Sequence, residues 1–260
     1  MITPAIYRFE EVGSTNDIAL GMARHGASEG TVVLARSQTR GRGRRGRTWF
    51  ARPNESVIMS VVLRPELPLN RYSELAFVAA VAVAECLEGK CGLDPALKWP
   101  NDVLVGDRKI AGTLIEGERG AAIVGIGMNV LQDSFPPELA DTATSVAREY
   151  RSTPQALSSE ERAYRRAADE PPRPDPDIET LAAVILDRLF AVYELGFEEI
   201  LARWRKYMWG LGRSVEVVTE GGTISGTISG IETDGALLID HGGIVRRVIA
   251  ADTIRLSQKT

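Results

Sequence analysis

Between Ala96 and Val130 four strand-like segments follow one another with only three or four residues between them: Ala96–Trp99, Val103–Val105, Lys109–Glu116 and Ala121–Val130. Connections that short join antiparallel neighbours, whereas a doubly wound parallel sheet needs a helix between successive strands. Upstream, Ile6–Phe9, Thr31–Ala35 and Ser56–Leu63 also read as strands. Ser14-Thr15-Asn16-Asp17 supplies cap chemistry for a helix running to Gly26, and Asn70 can cap a long apolar helix from about Arg71 to Glu88, closed by Gly89. The expected class is therefore α/β (α+β), a mixed and mainly antiparallel sheet with packed helices.

The second half changes style twice. Asp169–Asp177 holds four prolines in nine residues, which marks a linker or solvent loop within a stretch near 149–177. Two amphipathic helices should follow, near Ile178–Leu195 and Phe197–Met208. Beyond Gly210, short strands at Val215–Thr219, Thr223–Ile231, Ala236–Asp240 and Val245–Ile249 alternate with glycine turns, as in a small β-barrel. The division expected is 1–210 and 211–260.

Composition excludes several classes. No apolar run reaches the ~18–20 residues of a membrane span, and the first residues lack the basic head and apolar stretch of a secretory signal. Two cysteines, Cys86 and Cys91, are too few for a disulfide scaffold or a thiolate zinc site. A cytoplasmic protein is expected. The net charge of −4 argues against a general nucleic-acid binder, but 26 of the 31 basic residues are Arg and they are unevenly spread. Seven of them (Arg36, Arg40, Arg42, Arg44, Arg45, Arg47 and Arg52) lie between Glu29 and Glu55 with no acid among them. Such a block repels itself unless anions or solvent separate the charges.

Within that block, Gly41-Arg42-Gly43-Arg44-Arg45-Gly46 matches G-x-G-x-x-G after a strand. A dinucleotide fingerprint must open a helix, and Thr48-Trp49-Phe50 followed by Pro53 does not continue as one. A loop that brings backbone and guanidinium groups to phosphate or carboxylate suits these residues better. A solvated Arg/Gly loop and a nucleic-acid arm remain open on this segment alone. Lys98-Trp99-Pro100-Asn101-Asp102 presents an amide and a carboxylate at a strand end, as a ligand turn or as a plain turn. Arg108-Lys109-Ile110-Ala111-Gly112 opens a strand with one of only five lysines. Gly125-Ile126-Gly127-Met128-Asn129 weakens a strand with two glycines, marking a bulge or the approach of a ligand.

Taken together with Ser14–Asn16, these segments resemble the biotin–protein ligases, in their order and with similar gaps. The likeness covers about residues 6–148 well, the C-terminal part in outline and 149–177 poorly. It implies the biotin/lipoate ligase fold with a C-terminal SH3-like barrel. It also implies a two-step reaction. Biotin is activated by ATP, with Mg²⁺, as biotinyl-5′-AMP, then passed to a lysine of the biotin carboxyl carrier protein of acetyl-CoA carboxylase. Carried over residue by residue, Ser14, Thr15, Asn16, Gln38, Gly41, Arg42, Gly43, Arg44, Lys109 and Gly112 surround biotin. Arg44, Arg47, Trp49, Asn101, Asp102, Lys109 and Asn129 lie on the nucleotide side. Lys109, Arg44 and Asp102 are the catalytic candidates, and no resident metal site is expected. Arg255 corresponds loosely to a family arginine. Concentrated positive charge suits the meeting of a carboxylate with a polyphosphate, and a mobile Gly-rich loop suits a lid over a water-sensitive intermediate. His25 and His241 are expected to be structural or solvated. No DNA-binding segment, repressor function or membrane partner is expected, and the protein should be a monomer or homodimer. A lipoate or octanoate ligase on the same scaffold and an Arg-loop nucleic-acid module are the rival readings.

Overall fold

The computed structural model describes residues 2–118, 120–156 and 176–257. Its main sheet has seven strands: β1 (Ala5–Val12), β2 (Thr31–Gln38), β3 (Ser56–Leu63), β4 (Pro95–Lys98), β5 (Asp102–Val105), β6 (Arg108–Glu118) and β7 (Ala121–Asn129), in the order β1-β2-β3-β7-β6-β5-β4. The expected meander β4-β5-β6-β7 is present and antiparallel throughout. The β1–β2 pair is parallel, joined through helix α1 (Thr15–Arg24). The class is thus mixed α/β with a mainly antiparallel sheet.

Strand β3 is buried at every residue because it lies inside the sheet and both faces are covered. On one face Ala19 of α1 packs on Val33, Val62, Ala121 and Ile123. The other face carries α2 (Leu75–Cys91), with α4 (Ile178–Tyr193) and α5 (Phe197–Lys206) beyond it. Helix α2 is apolar on nearly all sides, as a helix between a sheet and other helices must be.

Its ends differ from those expected. Residues Leu69–Glu74 form a 3₁₀ turn after Pro68, so Asn70 caps nothing and the α-helix starts at Leu75. Gly89 stays inside the helix. Gly92 ends it, at φ +59°, its N–H donating to the Glu88 carbonyl while Leu93 reaches back to Leu87. Helix α4 starts at Asp177, whose carboxylate accepts from the Thr180 backbone N–H at 2.8 Å and is held below its ordinary pKa by the Thr180 contacts. The proline-rich stretch near 149–177 falls mostly outside the described residues, but its beginning is helical, in α3 (Val146–Ala156).

The C-terminal part is a five-stranded antiparallel sheet ordered β11-β10-β9-β8-β12: β8 (Ser214–Thr219), β9 (Gly222–Ile231), β10 (Leu237–His241), β11 (Ile244–Val248) and β12 (Thr253–Leu256). Strand β12, paired with β8, was not among the expected strands. One tryptophan bond fastens this sheet to the larger part, and a second holds the segment that leads into it. Trp99 Nε1 donates to the Gly235 carbonyl at 2.9 Å, and Trp209 Nε1 to Asp107 at 2.6 Å. A continuous apolar core runs from Val32 to Ile254.

Candidate functional site

The arginine-rich loop leaves β2 and returns to β3 without forming a helix. Arg42 and Thr48 form an isolated antiparallel bridge, Gly43 donates to the Arg47 carbonyl at 2.7 Å, and Arg44–Gly46 make a single 3₁₀ turn. Arg45 sits at φ 55° there. The charge block is resolved by acids from elsewhere in the chain. Arg42 pairs with Asp17 at 2.6 Å and with Glu116 at 3.0 Å. Arg45 pairs with Asp252, while Arg47 donates to the Asp252 carbonyl at 3.0 Å and to Thr253 Oγ1 at 3.1 Å. The loop therefore does not hang free: one end is tied to α1 and β6, the other to the C-terminal sheet. Arg44, unlike Arg42 and Arg45, pairs with no carboxylate among the described residues. It is half-buried, its side chain donates only to Asn101 Oδ1 at 3.3 Å, and burial with the nearby Arg45 and Arg47 lowers its pKa.

Two cavities meet under this loop. The smaller, about 50 Å³, is lined by Ser14, Thr15, Asn16, Gln38, Arg42, Gly43, Trp49, Lys109 and Gly112, with Gly125 and Gly127. Ser14 occupies the N-cap position of α1, yet its side chain makes no cap bond and faces this pocket. The Thr15 backbone N–H donates to Gln38 Oε1 at 2.7 Å. Asn16 is locked: its Oδ1 accepts from Ser60 at 2.5 Å and its Nδ2 donates to Glu116 at 2.6 Å. The glycines are spaces for neighbours. A Cβ on Gly127 would stand 2.5 Å from the Trp49 ring, one on Gly112 2.9 Å from Lys109 Cε, and one on Gly125 would collide with Asn16 Oδ1. Trp49 Nε1 and Thr113 Oγ1 are buried here with no hydrogen-bond partner.

The larger cavity, about 390 Å³, is lined by Arg44, Arg45, Arg47, Trp49, Lys98, Asn101, Asp102, Lys109 and Asn129, with Ala251–Ile254 at its rim. Asn101 Nδ2 donates to the Thr113 carbonyl at 2.7 Å, which fixes the turn after Trp99 against β6. Lys109 Nζ lies 2.6 Å from Asp102 Oδ1 and 5.6 Å from the centre of the Trp49 ring. Gly43, Trp49 and Lys109 line both cavities and form the wall between them. Among the described residues no three His, Cys, Asp or Glu side chains converge as a metal cage.

The residues anticipated on the nucleotide side all line the larger cavity. Of those anticipated around biotin, Gly41 lies behind the pocket against the Trp49 backbone, and Arg44 lines the larger cavity instead. Arg255 lines neither, although its charge contributes to lowering the Lys98 pKa. His25 binds the Gly21 carbonyl and His241 that of Ser225, away from both cavities. Sequence reasoning missed Asp17, Ser60 and Glu116, which hold Arg42 and Asn16 in place. Glu116 was findable, since it stands four residues beyond Gly112 on β6 and therefore on the same face.

Residues 9–133 match the biotin/lipoate A/B protein ligase family and 210–253 the biotin protein ligase C-terminal domain. The chain is 33 % identical to the bifunctional ligase/repressor BirA of Bacillus spizizenii, over 93 % of this chain and 71 % of the relative. It is 34 % identical to the biotin–[acetyl-CoA-carboxylase] ligase of Paracoccus denitrificans, over 92 % and 95 % of the two chains. The biotin protein ligase of Aquifex aeolicus, solved in complex with biotin and ATP, superposes with a TM-score of 0.80 at 28 % identity, covering 97 % of this chain and 99 % of that one.

Proposed function

Because the chain belongs to the biotin/lipoate A/B protein ligase family, we propose that its two cavities serve the two halves of one reaction. It is a biotin–[acetyl-CoA-carboxylase] ligase: ATP activates biotin as biotinyl-5′-AMP, and the acyl group passes to a lysine of the biotin carboxyl carrier protein. The observation that carries the assignment of roles is the shared wall, where Lys109 and Trp49 face both cavities.

In this reading the smaller cavity takes biotin. Its ureido ring needs donors and acceptors on one edge, and Ser14, Thr15, Asn16 and Gln38 offer both. At its present volume the pocket is well below the about 300–1,000 Å³ of ligand sites, so biotin enters as Trp49 and the loop give way. The larger cavity takes ATP, and Mg²⁺ comes with the phosphates as part of the substrate. A biotin carboxylate oxygen attacks the α-phosphorus, the bond to the β-phosphate breaks and pyrophosphate leaves. Lys109 and Arg44 stabilise the charge where carboxylate and phosphate meet, which is the dominant way such a step is accelerated. Asp102 holds the Lys109 ammonium at the wall and is one candidate acceptor for the proton the carrier lysine must lose; the adenylate phosphate is the other.

The acids on Arg42 and Arg45, and the carbonyl and hydroxyl that Arg47 binds, weigh against a nucleic-acid arm, since these guanidiniums already have partners. No helix among the described residues is long and apolar enough to cross a membrane; a cytoplasmic setting and a division near residue 210 belong to the same proposal. The test is ATP–pyrophosphate exchange by the purified chain with biotin, lipoate, octanoate or no acid. Exchange with biotin alone is expected. Exchange with lipoate instead would keep the mechanism and change the substrate, and none with any acid would refute the adenylation reading.

A further inference from the structure

Among the described residues, every cation lining the larger cavity has a hydrogen-bonding or ionic partner except one. Lys109 has Asp102, Arg45 has Asp252, Arg47 has the Asp252 carbonyl and Thr253, and Arg44 has Asn101. Lys98, at the end of β4, has no side-chain hydrogen bond or ion pair among the described residues. Its ammonium lies 4.7 Å from the centre of the Trp209 ring. Trp209 is itself immobilised, its Nε1 donating to Asp107 at 2.6 Å and the Arg213 guanidinium lying 5.3 Å from its ring. The ring thus acts as a fixed platform for the lysine head.

The acids near Lys98 are committed elsewhere. Asp102 is taken by Lys109, and Asp107 by Trp209 and Arg213, at 3.0 Å for the latter. Burial lowers the Lys98 pKa, the charges of Lys109 and Arg255 lower it further, and Asp102 and Asp107 oppose them. A half-buried ammonium among like charges without its own anion is poorly stabilised in the free protein. It is stabilised when an anion enters the cavity.

Position says which anion. Lys109 lines both cavities and Lys98 only the larger one. Where the nucleotide reading of that cavity holds, the α-phosphorus sits at the wall, within reach of the biotin carboxylate. In-line displacement sends the leaving group to the side opposite the attacking oxygen, away from the biotin pocket. We propose that Lys98, seated on Trp209, binds the β- and γ-phosphates of ATP and neutralises the pyrophosphate as it departs. The bond from the α-phosphorus to its bridging oxygen breaks, that oxygen keeps the electron pair, and Lys98 offsets the new charge without giving up a proton.

Lys98→Met keeps a stem of similar length on Trp209 and removes the charge. Calorimetry with ATP and with AMP, both with Mg²⁺, reads the effect without biotin. ATP affinity is expected to fall about tenfold or more, as for a charged hydrogen bond, while AMP affinity stays the same; Lys98→Arg should recover much of the loss. Biotin-dependent pyrophosphate exchange should fall alongside, but transfer to the carrier from preformed biotinyl-5′-AMP, which has no β- or γ-phosphate, should persist. Equal losses for ATP and AMP, or an equal fall in transfer from the preformed adenylate, would show a structural contact and overturn the proposal. So would unchanged ATP binding. Wild-type chain that binds ATP in this Lys98-dependent way but exchanges pyrophosphate with no acid would instead sink the ligase reading and leave the phosphate site standing.

Discussion

The pocket beside α1 and the cavity beside the Trp99–Asp102 turn share Gly43, Trp49 and Lys109, but they are built from different materials. The first is floored by hydroxyls and amides whose hydrogen bonds fix one another, Ser60 to Asn16 and Asn16 to Glu116, under glycines that have no side chain to intrude. The second is lined by charges. A neutral heterocycle is recognised by shape and by paired donors and acceptors, where one misplaced carbon excludes it. A polyphosphate is recognised by summed charge, which tolerates displacement and acts over longer range. Changes in the first should therefore act on biotin alone, changes in the second on nucleotide alone, and changes in the wall on both.

Lys109→Ala, at the wall, is expected to have the largest effect. Pyrophosphate exchange should drop by about 10²–10³ while the thermal melt by circular dichroism hardly moves; unchanged exchange would remove Lys109 from the reaction. Gly127→Ala comes next. Its Cβ would meet the Trp49 ring at 2.5 Å, so the KM for biotin should rise about tenfold, the scale of an overpacked site, with ATP affinity preserved. Loss of ATP affinity as well would show that the two cavities do not act separately. Arg44→Ala should let biotinyl-5′-AMP escape several-fold faster from the purified complex, and unaltered escape would count against a phosphate role. The smallest effect is on the loop: cleavage within Arg40–Arg47 by trypsin should slow when biotin and ATP are both present. Equal cleavage with and without them would end the lid argument.

The order and type of most elements could be read in the chain because they rest on local pattern. Apolar runs gave β2, β3 and β7, and short turns gave the meander. Ser14 marked the start of α1 correctly, although its hydroxyl serves the pocket and not the helix. What local pattern could not supply was long-range juxtaposition. Asp17 and Glu116 quench Arg42 from positions 25 and 74 residues away, and β12 is recognisable as a strand only through its pairing with β8. Gly89 was expected to end α2, but the helix runs on to Gly92, which takes the left-handed conformation that closes it. Lys98 was quoted within its segment, but its isolation depends on how Asp102 and Asp107 are already committed, which no spacing encodes.

The fastening of Arg45 and Arg47 to Asp252 and Thr253 has a further consequence. The residues that grip the far end of the loop line the larger cavity and not the smaller one, and they belong to a segment more than two hundred positions downstream. If the loop shields the adenylate as proposed, substitutions at Asp252 and Thr253 should change how long it does so, read as the escape rate of biotinyl-5′-AMP. Under that proposal, dwell time and substrate choice lie in different stretches of the chain, so that one can change without the other.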